Sequence, residues 1–258
     1  MGSNKDLFPE ERRNEILKLI NRDGRVAVTD LSQQFCVSEV TIRTDLQVLS
    51  DQSLIVRTHG GAVPFTRAPE LSLTLRRQQQ IIEKDRIGAA GAALVNNGDA
   101  VFLDTSSTAL ALAQHLKQQR DITVITNSLA ISQSFLDVPG VTIVMPGGIM
   151  QRDTVSLIGT EGLDFLSRFN IQKGFFGAHG INIPEGLTDV SSSEAEVKRH
   201  VIAMCREVIG ILDGTKWGRV GLASFARLED LHCIITDTQA PAMQVEQVRA
   251  LGIQVMLV

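Results

Sequence analysis

The chain has 258 residues, 43% hydrophobic and 21% charged, which excludes a disordered polyelectrolyte and leaves room for two folded domains or one large one. A formal net charge of -4 and a pI near 5.8 exclude binding of nucleic acid by overall field, so any such binding must come from a local basic face. Cys36, Cys205 and Cys233 are far apart with no metal-ligand spacing; they are expected to be reduced core thiols, and neither a metal site nor a cofactor is expected. The opening MGSNKDLFPEERR carries no apolar run ahead of its charges, and no apolar segment approaches the roughly 18 residues of a membrane span. A cytoplasmic protein is expected.

Pro9, Glu10 and Glu11 suit a first helical turn, since proline loses no useful N–H there and the acids face the positive end of the helix dipole. Ile16, Leu17 and Ile20 supply an apolar stripe that ends at Gly24. Arg25 to Val28 is then a brief extended piece, and Thr29 is expected to cap a second helix carrying Leu31 and Phe35, closed by Cys36 and Val37. Ser38 caps a third helix, SEVTIRTDLQVLS; Thr41 in place of Glu denies it a full capping box. At about 3.6 residues per turn, Ile42, Leu46 and Leu49 share one stripe while Val40, Arg43, Thr44 and Gln47 point the other way. By itself this pattern also describes an ordinary surface helix. The tight turn before it makes a helix-turn-helix, whose second member enters the DNA major groove, where Arg and Gln bond base edges. Asp45 lies off the outer face and is expected to orient a nearby arginine. LIVRTHGGAV, from Leu54 to Val63, predicts two strands about a turn at Gly60-Gly61, a wing whose Arg57, Thr58 and His59 reach phosphates or form a solvated hairpin tip. The candidate DNA contacts are Ser38, Val40, Thr41, Arg43, Thr44, Gln47, Arg57 and His59.

PFTRAPEL has two prolines and no periodicity, which predicts a linker over 64–74 between a winged helix-turn-helix domain at 1–63 and a larger α/β domain at 75–258. Leu75 to Val95 is expected to be one long helix, stopped by Asn97-Gly98. Beyond it the runs AVFLD, TVIT, VTIVM, KGFFGA, VIGILD, CIIT and IQVMLV alternate with helical stretches, which predicts a mainly parallel sheet covered on both faces. With no tyrosine and a single tryptophan, the body is not a base-stacking platform.

The strand-to-helix turn FLDTSST places Asp104, Thr105, Ser106, Ser107 and Thr108 where amides and hydroxyls cradle an anion, although such turns often do no more than cap a helix. Asn127, Gly147, Gly148, Asp213 and Lys216 follow other strands, and in an open α/β sheet such strand ends line one crevice. Lys216 is either a phosphate partner or an exposed loop lysine. Glu194 and Lys198, four apart on a helix, are either a plain surface ion pair or part of the crevice rim. His179 is taken as a structural or ligand-contact histidine. There is no HExxH, no GxSxG elbow and no P-loop lysine, so no catalytic residue is assigned.

The motifs RRNEILKLI, SEVTIRTDLQVL and RTHGGA in the head, followed by EKDRIG, LDTSST, TNS, PGGIMQRDTVSLIG, GLTD and DGTKWGR in the body, resemble the DeoR family of bacterial sugar-metabolism repressors over nearly the whole chain. The resemblance implies a DNA-binding repressor released from a double-stranded operator by a phosphorylated sugar, with an effector domain similar in fold to ribose-phosphate isomerases. Two positions depart from the family pattern: Thr44 stands where relatives carry a basic residue, and Ser106 where many carry glycine. Paired half-sites imply a homo-oligomer, dimer or tetramer. The alternative is a sugar-phosphate isomerase with an accessory DNA-binding head, using Asp104, Glu194 and Lys198 for proton transfer; a helix-turn-helix has no use in isomerisation. A third option is an adaptor whose head binds protein.

Overall fold

The computed structural model describes residues 9–51, 55–58, 60–64 and 73–258, and its contacts divide the chain into two units, Met1–Pro69 and Glu70–Val258. His59 and Leu54, and linker positions 65–72, lie outside the described residues.

In the first unit, α1 (Pro9–Asp23) ends where the Gly24 N–H reaches Ile20 O at 2.9 Å. β1 (Val26–Ala27), α2 (Val28–Phe35), α3 (Glu39–Asp51), β2 (Ile55–Thr58) and β3 (Gly61–Pro64) follow. Ile16, Ile20, Leu31, Phe35, Ile42, Leu46, Leu49 and Ile55 form its core, so the third-helix stripe is buried as its periodicity requires. Thr29 does not cap α2. That helix starts at Val28 behind Ala27, with no side-chain cap, because β1 pairs with β3 and the Val28 N–H bonds Gly60 O at 2.8 Å, which turns the chain directly into the helix. Gly61 permits this pairing, since a Cβ there would lie 1.9 Å from Val26 O. The wing hairpin thus becomes a three-stranded sheet of order β1-β3-β2. Cys36 is exposed, contrary to the expected core thiol, because it ends α2 in a left-handed conformation, φ +53.

In the second unit the expected single helix from Leu75 is two: α4 (Leu73–Arg77) and α5 (Ile81–Ala92). Gln80 takes φ +50 between them, and the Lys84 ammonium donates to Arg76 O at 2.6 Å and Gln79 O at 2.7 Å. It thereby takes carbonyls that a continuous helix would have paired internally. The chain continues through β4 (Ala100–Leu103), α6 (Ser107–Leu116), β5 (Ile122–Thr126), α7 (Leu129–Ser134), β6 (Val141–Val144), β7 (Ile149–Gln151), β8 (Ser156–Ile158) and β9 (Ile171–Phe176). Then come β10 (Gly180–Asn182), β11 (Gly186–Asp189), α8 (Ser192–Ile202), β12 (Cys205–Ile211), β13 (Ala223–Ala226), β14 (Cys233–Thr236), α9 (Ala242–Ala250) and β15 (Gln254–Leu257).

All seven apolar runs become neighbouring parallel strands of one sheet, ordered β15-β14-β12-β9-β4-β5-β6. Alternate side chains enter opposite faces. Val101, Leu103, Phe175 and Ile235 pack with Ile87 of α5 and Leu112 of α6, whereas Phe102, Phe176 and Ile234 pack with Val197 of α8 and Val248 of α9. From β4 the chain builds outward through β5 and β6; from β9 it builds the opposite way through β12, β14 and β15. The order reverses between β4 and β9, and a crevice opens beyond the carboxyl ends of strands at such a point. A small antiparallel sheet, β10-β11-β13, and the β7–β8 hairpin were not legible as separate elements. Among the described residues no helix is long and apolar enough to cross a membrane.

Candidate functional site

The outer face of α3 carries Val40, 68% exposed, with Arg43, Thr44 and Gln47 also exposed. The Ser38 hydroxyl accepts from Thr41 N at 3.1 Å, and the two hydroxyls meet at 2.9 Å, which closes the first turn without a glutamate. Arg43 pairs with Glu39 at 2.7 Å one turn back, and the Thr44 hydroxyl donates to Val40 O at 3.0 Å. Arg57 of β2 donates to the Gln47 amide oxygen, which links wing to helix. Asp45 is buried and accepts from Arg12 Nε at 2.6 Å and Arg13 Nε at 2.8 Å. Two arginines of α1 thus fix the rotation of α3 that leaves Val40, Arg43, Thr44 and Gln47 outward.

At the β4/β9 junction of the second unit, Asp104 Oδ1 accepts from Ser106 N at 3.0 Å and Oδ2 from Gly177 N at 2.9 Å. Lys198 of α8 approaches Asp104 at 2.9 Å and Asp189 of β11 at 2.8 Å, and donates to Gly177 O at 2.8 Å. Gly177 is required there, since a Cβ would lie 2.4 Å from Ser106 Cβ. Burial works against the Lys198 charge, but Asp104, Asp189 and Glu194 outweigh it and hold its pKa above the usual lysine value. Asp189, whose burial opposes ionisation, is held below the carboxylate range by Lys198. The Glu194 carboxyl is pushed up by burial, with Lys198 opposing; it accepts from Thr105 and Ser156 hydroxyls, each at 3.3 Å.

A second group of charges lies around Asp213. Burial lowers the pKa of Lys84 to about 8, with Asp213 opposing and Lys216 and Arg76 adding to the fall. Lys216 is lowered by burial as well, with Asp213 opposing and Arg219 and Arg76 reinforcing. His179 falls below its usual value for the same reason, burial first and Lys216 next. Asp213 Oδ1 accepts from the Thr215 amide and hydroxyl, whereas Asp213 Oδ2, Arg76 Nε and Arg76 Nη2 are buried with no hydrogen-bond partner among the described residues.

Comparison with known proteins adds the family. The DeoR-like helix-turn-helix domain matches residues 12–67, and the DeoR C terminal sensor domain matches residues 79–238. The chain belongs to the DeoR family. It is therefore a DNA-binding regulator of transcription rather than an enzyme. It is 34% identical to the HTH-type transcriptional regulator GolR of Listeria innocua, over 90% of this chain and 92% of the relative. It is 30% identical to the glycerol-3-phosphate regulon repressor of Escherichia coli strain K12, again over 90% of this chain and 92% of the relative. Ribose 5-phosphate isomerase A of Methanocaldococcus jannaschii overlays with a TM-score of 0.40 at 16% identity, covering 52% of this chain and 53% of that one, a likeness too partial to bear on function.

Within this DeoR-family sensor domain, the sequence-predicted residues separate into groups. Asp104, Thr105, Glu194 and Lys198 are joined in one buried network. Glu194 and Lys198 are not a surface pair, since they are 3% and 4% exposed and Lys198 reaches the two aspartates instead. Ser106 caps α6 by accepting from Ala109 N at 3.0 Å, which leaves the amides of Ser107 and Thr108, the first two of the helix, without an intrahelical partner. Asp213 and Lys216 belong to the second charge group. Asn127 donates to Leu157 O at 2.8 Å and so ties the end of β5 to β8. Gly147 and Gly148 are exposed; they sit beside the β7–β8 hairpin, where Gly162 packs on Gly147 and Gly148 on Ile158 O. Sequence alone did not single out Arg76, Lys84, Gly177, Asp189 or Arg219. Lys84 and Asp189 stand in the EKDRIG and GLTD motifs, which marked their positions without giving a role.

Proposed function

We propose that the chain represses a sugar or polyol catabolic operon, and that a phosphorylated sugar or polyol bound at the strand-end crevice of the sensor sets its operator affinity. The observation that carries this is the second charge group: burial, Lys216 and Arg76 work against the charge of Lys84 while Asp213 and Glu83 oppose them, Arg219 and Arg76 work against Lys216, and Asp213 keeps one carboxylate oxygen without a partner among the described residues. A buried lysine beside a half-buried one calls for an anion, and an orphaned carboxylate oxygen calls for a hydroxyl donor. A polyol phosphate supplies both. The α6 amides of Ser107 and Thr108 and the Lys216 ammonium take the phosphate, assisted by the helix dipole.

Residues 1–63 form the DNA-binding domain, 64–74 the linker and 75–258 the sensor. Arg43 and Gln47 exchange Glu39 and Arg57 for base edges, Val40 makes apolar contact, and Ser38, Thr41, Arg57 and His59 serve the phosphate backbone. The protein works in the cytoplasm as a homo-oligomer spanning paired half-sites. Effector and operator are linked by a coupling free energy of about 1 to 3 kcal/mol. Gel shifts on DNA upstream of its own gene, with a panel of sugar and polyol phosphates, test this. Specific binding that one phosphate ester abolishes supports it; sugar-phosphate turnover without specific DNA binding refutes it.

A further inference from the structure

Arg76 stands on α4, the first described element of the second unit after residues 65–72. Its guanidinium acts electrostatically on Lys84, Lys216 and His179 and also on Asp189 and Glu194. It is thus coupled to both charge groups, and α4 packs against α6, the helix that the DTSST turn opens. Yet Nε and Nη2 are buried and make no hydrogen bond. A buried guanidinium is ordinarily paired, because lost hydration has to be replaced by hydrogen bonds. Nε and Nη2 present the parallel donor fork that matches two oxygens of one phosphate.

The helix α4 is a single short turn. Leu73 is buried and its N–H bonds Asp153 O at 2.9 Å, and Lys84 holds the Arg76 carbonyl. The helix spans only Leu73–Arg77, too short to be stable by itself.

We propose that Arg76 is a bidentate ligand of the effector's phosphate, closing over it opposite the α6 N-terminus, and that this grip passes sensor occupancy to the segment leading back to the DNA-binding domain. It rests on the sugar-phosphate reading of the crevice and adds the residue that both binds and reports. Leu73 and the Arg76 carbonyl anchor α4; a bound phosphate adds two charge-assisted hydrogen bonds at its last turn.

The test titrates inorganic phosphate and glycerol 3-phosphate into the full chain and into R76A and R76K, by calorimetry, with hydrogen exchange followed over residues 73–77. Expected is binding by the unmodified chain, a loss of about 10- to 100-fold in R76A, and an intermediate loss in R76K, which keeps the charge without the fork. Phosphate should slow exchange in α4 of the unmodified chain and leave α4 of R76A unchanged. Equal affinity in R76A overturns the proposal and leaves the sugar-phosphate reading standing; no binding of either probe by the unmodified chain overturns both. Should R76A fail to fold, R76K carries the test, and affinity equal to the unmodified chain overturns it. Exchange in α4 that ignores bound phosphate refutes the reporting role.

Discussion

Asp45 in the DNA-binding domain and Asp213 in the sensor are both buried carboxylates at the heart of their units, and they are treated oppositely. Asp45 has a guanidinium on each oxygen, at 2.6 and 2.8 Å, and it fixes a helix. Asp213 uses one oxygen locally and leaves the other without a partner among the described residues. A satisfied buried charge marks scaffold; an unsatisfied one, under the proposed function, marks a place kept for a ligand. The Asp104–Lys198–Asp189 network lies between these cases, since it is internally paired yet sits at the carboxyl ends of the strands where the order reverses.

The largest effect that can break this distinction is at Lys198. Replacing it with Met leaves Asp104 and Asp189 buried without a counter-charge, and the sensor should lose about 3 to 5 kcal/mol in denaturant unfolding. An unchanged midpoint would mean that the network is not scaffold. Asp45→Ala removes the carboxylate that Arg12 and Arg13 share, and Arg13 is partly exposed, so about 3 kcal/mol is expected. That loss should abolish operator binding while leaving calorimetric binding of sugar phosphate intact; loss of both would show that Asp45 serves more than the head. Arg43→Ala should weaken specific operator binding by about 1 to 3 kcal/mol if the side chain forks onto a guanine, with no change in thermal stability because its Glu39 pair is exposed. Undiminished operator affinity in a fluorescence anisotropy titration would retire that contact.

The smallest effect is one of pH. Burial lowers Lys84 to about 8, so above that value the empty crevice has lost a proton that anion binding must restore. Lys216 is shifted in the same direction, and His179, lowered from its ordinary value, stays neutral from pH 7 upward. Affinity for sulfate, whose own charge is constant here, should hold below about pH 8 and fall by up to about tenfold per unit above it. A flat profile from pH 7 to 9.5 would remove Lys84 from the site.

The sheet was legible because its strands are buried on both faces and so appear as unbroken apolar runs, each of which became a strand. The helix α3 was legible because Ile42, Leu46 and Leu49 keep helical spacing, and Asp45 because its angle separates it from the outer face. The break at Gln80 was not, since LRRQQQIIEK is a continuous series of helix formers and the interruption is set by where Lys84 sends its ammonium. β1 is two residues long, too short to show a period. Lys198 misled for a different reason: its four-residue spacing from Glu194 suggests a helical pair, while its actual partner Asp104 comes from a strand far away in sequence. Arg76 showed no signal, as one of two adjacent arginines at the edge of a region read as linker.

The central claim is that one sugar phosphate and one operator compete through the same molecule, and thermodynamic linkage tests it most directly. Operator affinity should be measured with and without saturating effector, and effector affinity with and without saturating operator. The account predicts the same factor in both directions, on the order of 5- to 150-fold. An operator affinity unmoved by any sugar or polyol phosphate that binds the sensor would contradict it.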